Sequence, residues 1–303
     1  MKFAYFKGEI VPFEQATISI MTHAFNYGTG VFEGIRAYYN PEQDKMYIVK
    51  LREHYERMIR SCTAMHIDVD ESIEDLMKIT VELVKMNDYK EDVYIRPLAY
   101  KSEVKIGLGL HGIEDDVAIY CAPFGAYLDI TKPIKVCVSK YRRISDKSMP
   151  QGAKLTGTYF NSSLAKSEAL KKGYAEAITL SHKGNVAEGS GENLFMVKNG
   201  KLITPPLSDD ILPGITRAAV MKLAKDELGI KTLEKSFKPA ALYKADELFF
   251  TGTGAQIAPI GQVDKKKIGN GKIGPVTKKL QNIYFKAVKG ELPKYKKWLT
   301  PVT

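Results

Sequence analysis

The residue types that chemistry needs are concentrated in Val186-Ala-Glu-Gly-Ser-Gly-Glu-Asn-Leu-Phe, followed by Leu202-Ile-Thr204 and Leu212-Pro-Gly-Ile-Thr-Arg217. The first piece puts an acid, Glu188, at the end of a β-prone run, beside glycines that let a flat ligand approach the backbone. The last puts Gly214, Ile215 and Thr216 at the start of a helix, where free N–H groups and a hydroxyl form an anion cup. A plain hairpin followed by a capped helix uses the same residues, so these segments alone leave both readings open. Other chemistries are excluded more firmly. There is no GxxxxGK[ST], no GxGxxG between strand and helix, and no GxSxG, since Glu188-Gly-Ser-Gly-Glu192 has its serine in the wrong place. Cys62, Cys121 and Cys137 lack close pairing, and His23, His54, His66, His111 and His182 stand alone, so no metal site is expected.

These residues must be held by an α+β framework. Phe3 to Val11 reads as two short strands around Lys7-Gly8, and Val31 to Val49 is β-rich. Leu51, Tyr55, Met58, Ile59 and Cys62 have helical spacing over Leu51–Met65, as do Ile73, Leu76, Met77, Val81 and Val84 over Glu71–Lys85. Val93–Ala99 and Val117–Pro123 read as buried strands. A second β-rich region begins at Ile134 and is clearest from Glu176 to Pro205, with turns at Lys183-Gly184-Asn185 and Lys198-Asn199-Gly200. Helices are expected at Tyr159–Lys172, Ile215–Leu228 and Val276–Val288. The Gly-, Ala-, Asp- and Pro-containing stretch 124–133 is the expected connection between a small domain, 1–123, and a larger one, 134–303.

With 303 residues and 44% apolar content, the chain can bury two cores. No apolar run approaches bilayer length and Met1-Lys2 is followed by no continuous apolar stretch, so a cytoplasmic protein without a membrane partner is expected. The net charge of +10 suggests an anionic partner, either nucleic acid or a phosphate-bearing small molecule. Lys265-Lys266-Lys267 and Lys294-Tyr-Lys-Lys297 cluster charge without any nucleic-acid motif, so no nucleic-acid partner is expected.

Taken jointly, the acid, Asn-Leu-Phe, the Leu-x-Thr step and Leu-Pro-Gly-Ile-Thr-Arg resemble the signature of the class IV, or fold-type IV, pyridoxal-phosphate aminotransferases. The resemblance covers the whole chain and is nearest to the branched-chain amino acid aminotransferases. His23-Ala-Phe-Asn-Tyr-Gly-Thr-Gly-Val-Phe-Glu-Gly-Ile-Arg36, Arg52-Glu-His-Tyr-Glu-Arg57, Tyr94-Ile-Arg-Pro97, Phe124-Gly-Ala-Tyr127, Gly152-Ala-Lys154 and Thr251-Gly-Thr253 carry it further. It implies a small N-terminal α/β sandwich, a larger C-terminal barrel-like domain, pyridoxal 5'-phosphate between them, and a homodimer or higher assembly of dimers.

Residue roles follow from the same resemblance. Lys154 matches the lysine that holds the cofactor and moves the proton. Glu188 matches the carboxylate facing the pyridine nitrogen, and Arg57 the clamp on the phosphate. Tyr159 matches the partner of the phenolic oxygen, with Leu212, Ile215, Thr216 and Thr253 as further cofactor contacts. Tyr94, Thr253 and Gly254 match receivers of the α-carboxylate. Tyr27, Phe32, Gly34, Leu108, Leu110, Phe124 and Tyr127 match the substrate pocket, and Arg96 with Tyr27 the groups for a distal carboxylate. Phe124, Thr158 and Gly254 depart from the common tryptophan, asparagine and alanine. The implied activity is amino transfer from L-leucine, L-isoleucine or L-valine to 2-oxoglutarate by a ping-pong route. The alternatives are a D-amino acid aminotransferase, an aminodeoxychorismate lyase, or, from charge alone, a nucleic-acid binder.

Overall fold

A computed structural model describes residues 1–125 and 127–302; Ala126, in the expected connection, and Thr303, at the end of the expected larger domain, lie outside the described residues. The chain forms two compact units, one of Met1–Gly125, Ala153–Gly157 and Ala287–Thr303, the other of Ala126–Gly152 and Thr158–Lys286. This differs from a simple division at the connection. Leu299–Val302 pairs with a strand of the first unit, and Leu155 bridges to Val31, so two segments expected in the larger domain sit in the smaller one.

In the first unit, β1 (Phe3–Phe6) and β2 (Glu9–Pro12) form the expected hairpin, with Lys7 and Gly8 both left-handed. The β-rich stretch after it resolves into β3 (Gly30–Phe32), β4 (Ile35–Asn40) and β5 (Lys45–Val49). With β6 (Val93–Lys101) and β7 (Asp115–Pro123) they make an antiparallel sheet in the order Leu299–Val302, β5, β4, β6, β7, β1, β2, and β3 pairs with β6. A short helix, α1 (His23–Tyr27), precedes β3.

Helices α2 (Leu51–Ala64) and α3 (Ile73–Asn87) belong to this unit. Ser72 caps α3 by accepting the N–H of Asp75 at 3.2 Å. Helix α2 buries Leu51, Tyr55, Met58 and Cys62, and beside them His54, Arg57 and Ser61, a polar stripe in register with the apolar one.

The second unit is a barrel. Strands β8 (Ile134–Arg142), β9 (Glu176–Leu180), β10 (Val186–Gly189), β11 (Asn193–Lys198), β14 (Glu247–Gly252) and β15 (Gln256–Val263) close on themselves, because β10 pairs with both β9 and β11. Closure removes free strand edges, and the interior is filled by residues such as Val136, Ile178, Leu194, Phe250 and Ala258. Two further strands, β12 (Lys201–Thr204) and β13 (Thr232–Glu234), extend from β11. Helix α4 (Tyr159–Lys171) lays Ala165 and Ala169 against Cys137 and Ala177. Helices α5 (Ile215–Leu228) and α6 (Pro275–Val288) complete the elements. The fold is α+β, and no described helix is long and apolar enough to cross a membrane.

Candidate functional site

In the first unit, Lys154 is held by its backbone. Its carbonyl accepts the N–H of Phe32 at 3.1 Å, and its own N–H donates to Ser61 Oγ at 3.0 Å. Ser61 in turn donates to the carbonyl of Arg57 at 2.9 Å, so one hydroxyl ties the lysine segment to α2 at the level of Arg57. The ammonium end of Lys154 lies 4.6 Å from the centre of the Phe32 ring. Burial, and then the Arg57 charge, lower its pKa to about 8, which makes a neutral amine accessible near physiological pH.

Arg57 is oriented by a carboxylate with no exposure of its own. Its Nε and Nη2 donate to Glu33 Oε1 and Oε2, each at 2.7 Å, and His54 Nδ1 lies 2.7 Å from Oε2. Burial alone would raise the Glu33 pKa, but Arg57 and His54 outweigh it and hold the carboxyl well below the usual range. The His54 pKa is lowered as well, because burial depresses it more than Glu33 raises it. A neutral imidazole therefore donates from Nδ1, and the Glu33–Arg57 pair is self-neutralising within the fold.

Facing residues of β6 complete this set. Arg96 Nη2 donates to the Tyr94 hydroxyl at 3.0 Å, and its guanidinium lies 4.6 Å from the centre of the Phe32 ring. Arg96 Nε is buried without a hydrogen-bond partner among the described residues. Phe124 packs on Tyr94 with ring centres 5.0 Å apart, and Arg36 anchors that segment by donating to the carbonyls of Phe124 and Gly125 at 2.6 and 2.9 Å. A Cβ at Gly34 would meet the Tyr94 hydroxyl at 2.0 Å, so any larger residue there would have to displace the Tyr94 ring.

In the second unit, Glu188 ends β10. Its Oε2 accepts from Asn193 Nδ2 at 2.8 Å and from the Leu212 N–H at 3.2 Å, while Arg143 Nε lies 3.1 Å from Oε1. Asn193 also donates to the Leu212 carbonyl at 2.9 Å, and a Cβ on Gly214 would strike its Oδ1. These contacts bind Glu188 to the start of α5, whose N-cap, Gly214, brings no side-chain capping bond. The first N–H groups of Ile215 and Thr216 therefore keep the character of an anion cup. The pairings Glu188↔Asn193 and Asn193↔Thr251 place the Thr253-Gly254 segment after the strand next to β11. Tyr159 opens α4.

The structure gathers Lys154, Arg57, Phe32, Gly34, Tyr94, Arg96 and Phe124 in one unit, and Glu188, Leu212, Ile215 and Thr216 in the other. It does not bring every expected residue to these sets. Leu108 is 79% exposed, and Leu110 lines a separate cavity of about 410 Å³ with His66, Lys101 and His111. Tyr27 is partly exposed, its hydroxyl accepting the Gly107 N–H at 3.2 Å, and Tyr127 lies beneath the Lys166 ammonium. Glu33, His54, Ser61, Arg36, Arg143 and Asn193 were not singled out from the sequence. The one signal for two of them was their position on α2: His54 and Ser61 fall three and four residues from Arg57, on the face that the apolar stripe buries.

Comparison with known proteins agrees with this geometry. Residues 30–263 match the family model for amino-transferase class IV. A probable branched-chain-amino-acid aminotransferase of Aquifex aeolicus is 51% identical over 302 residues, covering 100% of this chain and 97% of the relative. The branched-chain aminotransferase of Thermoproteus uzoniensis, solved with norvaline, is 46% identical with a TM-score of 0.95, covering 99% of each chain. The branched-chain amino acid aminotransferase of Thermobaculum terrenum, solved in its PLP-form, is 37% identical with a TM-score of 0.95, covering 100% of this chain and 98% of that one. Full-length identity of this order, joined to the residue sets above, means that the chain belongs to the class IV aminotransferases, in the branched-chain-amino-acid aminotransferase family.

Proposed function

We propose that the protein is a cytoplasmic, pyridoxal-phosphate-dependent aminotransferase that carries the amino group of L-leucine, L-isoleucine or L-valine to 2-oxoglutarate. The observation that carries the reading is the half-buried Lys154 amine, its pKa lowered to about 8 beside an arginine already oriented by a buried carboxylate. The residues present fit the cofactor. Arg57, oriented through Nε and Nη2 by Glu33, is assigned to its phosphate together with the uncapped start of α5, Glu188 to its ring nitrogen as an acceptor, and Lys154 as the amine that would hold it covalently. Leu212, Thr253 and the Tyr159 hydroxyl are assigned to its remaining polar groups.

Bound pyridoxal phosphate supplies an electron sink for the bond broken at the substrate Cα. The chain's own groups do the rest. Lys154 Nζ, neutral in a substantial fraction of molecules, takes the Cα proton and returns it in the second half of the cycle. Tyr94, Thr253 and Gly254 receive the α-carboxylate, and Phe32 and Phe124 exclude water from an apolar side chain. Arg96, with its orphaned Nε, is the partner for the distal carboxylate of glutamate, together with the Tyr27 hydroxyl. One set of groups thus serves both half-reactions of a ping-pong cycle.

The reading extends to assembly. Ile20, Phe25, Ile106 and Leu108 are each at least 65% exposed, and the Thr22–Val104 bridge sets their two segments side by side. An apolar surface of this kind is what a homodimer buries, and Leu108 and Leu110 would then serve the other copy's pocket. The decisive measurement is an amino-donor panel with 2-oxoglutarate on the holoenzyme and on Lys154→Ala. L-leucine, L-isoleucine and L-valine should be turned over, D-alanine should not, and the alanine variant should be inactive. Turnover of D-alanine in preference to the L-donors, or an active alanine variant, would overturn the assignment.

A further inference from the structure

Arg143 follows β8 in the second unit, and its side chain is about one-tenth exposed. Its Nε lies 3.1 Å from Glu188 Oε1 and donates to the Asp210 carbonyl at 3.2 Å. Its Nη2 donates to Gln151 Oε1 at 2.8 Å, and Nη1 makes a longer contact of 3.4 Å with Ser162 Oγ. Gln151 is itself buried, and its N–H donates to Asp146 at 2.8 Å. The guanidinium therefore touches both the carboxylate at the end of β10 and the loop that ends three residues before Lys154.

We infer that Arg143 is the positioning residue that keeps Glu188 an anion, and that it thereby sets how firmly the ring nitrogen of the cofactor stays protonated. The inference rests on the role given above to Glu188. Its physical basis is that a carboxylate withdrawn from water favours its neutral form unless a cation is fixed beside it. The same turn contains a comparison. Glu192, four residues on, is equally buried, and no cation makes an ion pair with it among the described residues. Burial, then the Glu176 charge, push its pKa up to about 8. Glu188 differs from it in having a guanidinium at 3.1 Å and two N–H donors on its other oxygen. Fixed at 3.1 Å from Glu188, the Arg143 charge favours a proton on the ring nitrogen over a proton on the carboxylate.

The test separates charge from tethering. Arg143→Gln keeps an amide for Gln151 and Asp210 but no charge, whereas Arg143→Lys keeps the charge without the fork. In the holoenzyme, Arg143→Gln should lower kcat by roughly ten- to a hundredfold, the range for losing the partner behind a functional group. KM for L-leucine should change little, and the cofactor absorption spectrum should shift toward that of Glu188→Gln. Arg143→Lys should retain most of the rate, and it keeps the test open if the glutamine variant does not fold. The double variant with Glu188→Gln should be no slower than Glu188→Gln alone, since both act on one proton. A wild-type rate and spectrum in Arg143→Gln, a lysine variant as slow as the glutamine one, or multiplying losses in the double variant would each overturn the inference. A wild-type rate in Glu188→Gln would instead remove the role of Glu188 itself.

Discussion

At the scale of single residues, the molecule is organised by which buried charges are paired in advance and which wait for a ligand. Arg57 is paired by Glu33, whereas Arg96 keeps a buried Nε without a partner among the described residues. That contrast locates substrate discrimination. Arg96→Leu should weaken use of 2-oxoglutarate by roughly 2–5 kcal/mol, the usual consequence of orphaning a buried charge, and should affect the half-reaction with leucine far less. Spectra of the separate half-reactions check this, and equal losses would mark Arg96 as a structural arginine. Lys154 gives a pH prediction with a fixed sign. Its pKa is lowered to about 8, so the neutral, reactive amine accumulates as pH rises through that value. Uptake of pyridoxal phosphate by the apoprotein should accelerate across the same interval and then level off. A rate that climbs only toward the ordinary lysine range would contradict the lowered value.

At the scale of elements, the β10–β11 turn carries two buried carboxyls with opposite requirements. Glu192 has a folded-state pKa above its ordinary value, so its contribution to stability is complete at acid pH, below its unfolded pKa, and is lost as pH rises through about 8. Glu192→Gln should therefore match wild type near pH 4 to within about 1 kcal/mol and exceed it near pH 9 by no more than about 5 kcal/mol. Denaturant melts at the two pH values measure the difference, and a variant less stable at the higher pH would refute it. Much of this level was legible in the sequence. Helix α5 begins and ends where Gly214 and Gly229 bracket an unbroken run, and the β11–β12 hairpin turns at Asn199-Gly200, both left-handed. What escaped were features set by distant partners. The strand Leu299–Val302 exists because β5 offers it an edge about 250 residues earlier in the chain, and no local pattern announces that. Glu33, His54 and Ser61 are polar residues that matter because α2 turns them inward, and Lys154 was distinguished from other lysines only by the family resemblance.

At the scale of the whole molecule, the exposed apolar segments around Ile20, Phe25, Ile106 and Leu108 are the surface proposed above as a homodimer contact. Leu108→Glu together with Ile106→Lys should shift the protein from dimer to monomer in sedimentation while leaving the far-ultraviolet spectrum unchanged. An unchanged sedimentation coefficient would count against this face as the contact. The composition of the first unit has a consequence for how the protein is made. Its residues come from the beginning, a five-residue thread in the middle and the end of the chain. Near a ribosome, β1 to β7 emerge early with the edge of β5 uncovered, while the second unit, apart from that thread, comes from one later stretch. The sheet that carries Tyr94 and Arg96 gains its last strand only when residues 299–302 leave the exit tunnel. The half made first is thus finished last, and for most of synthesis it must be kept from pairing that open edge with a neighbouring nascent chain.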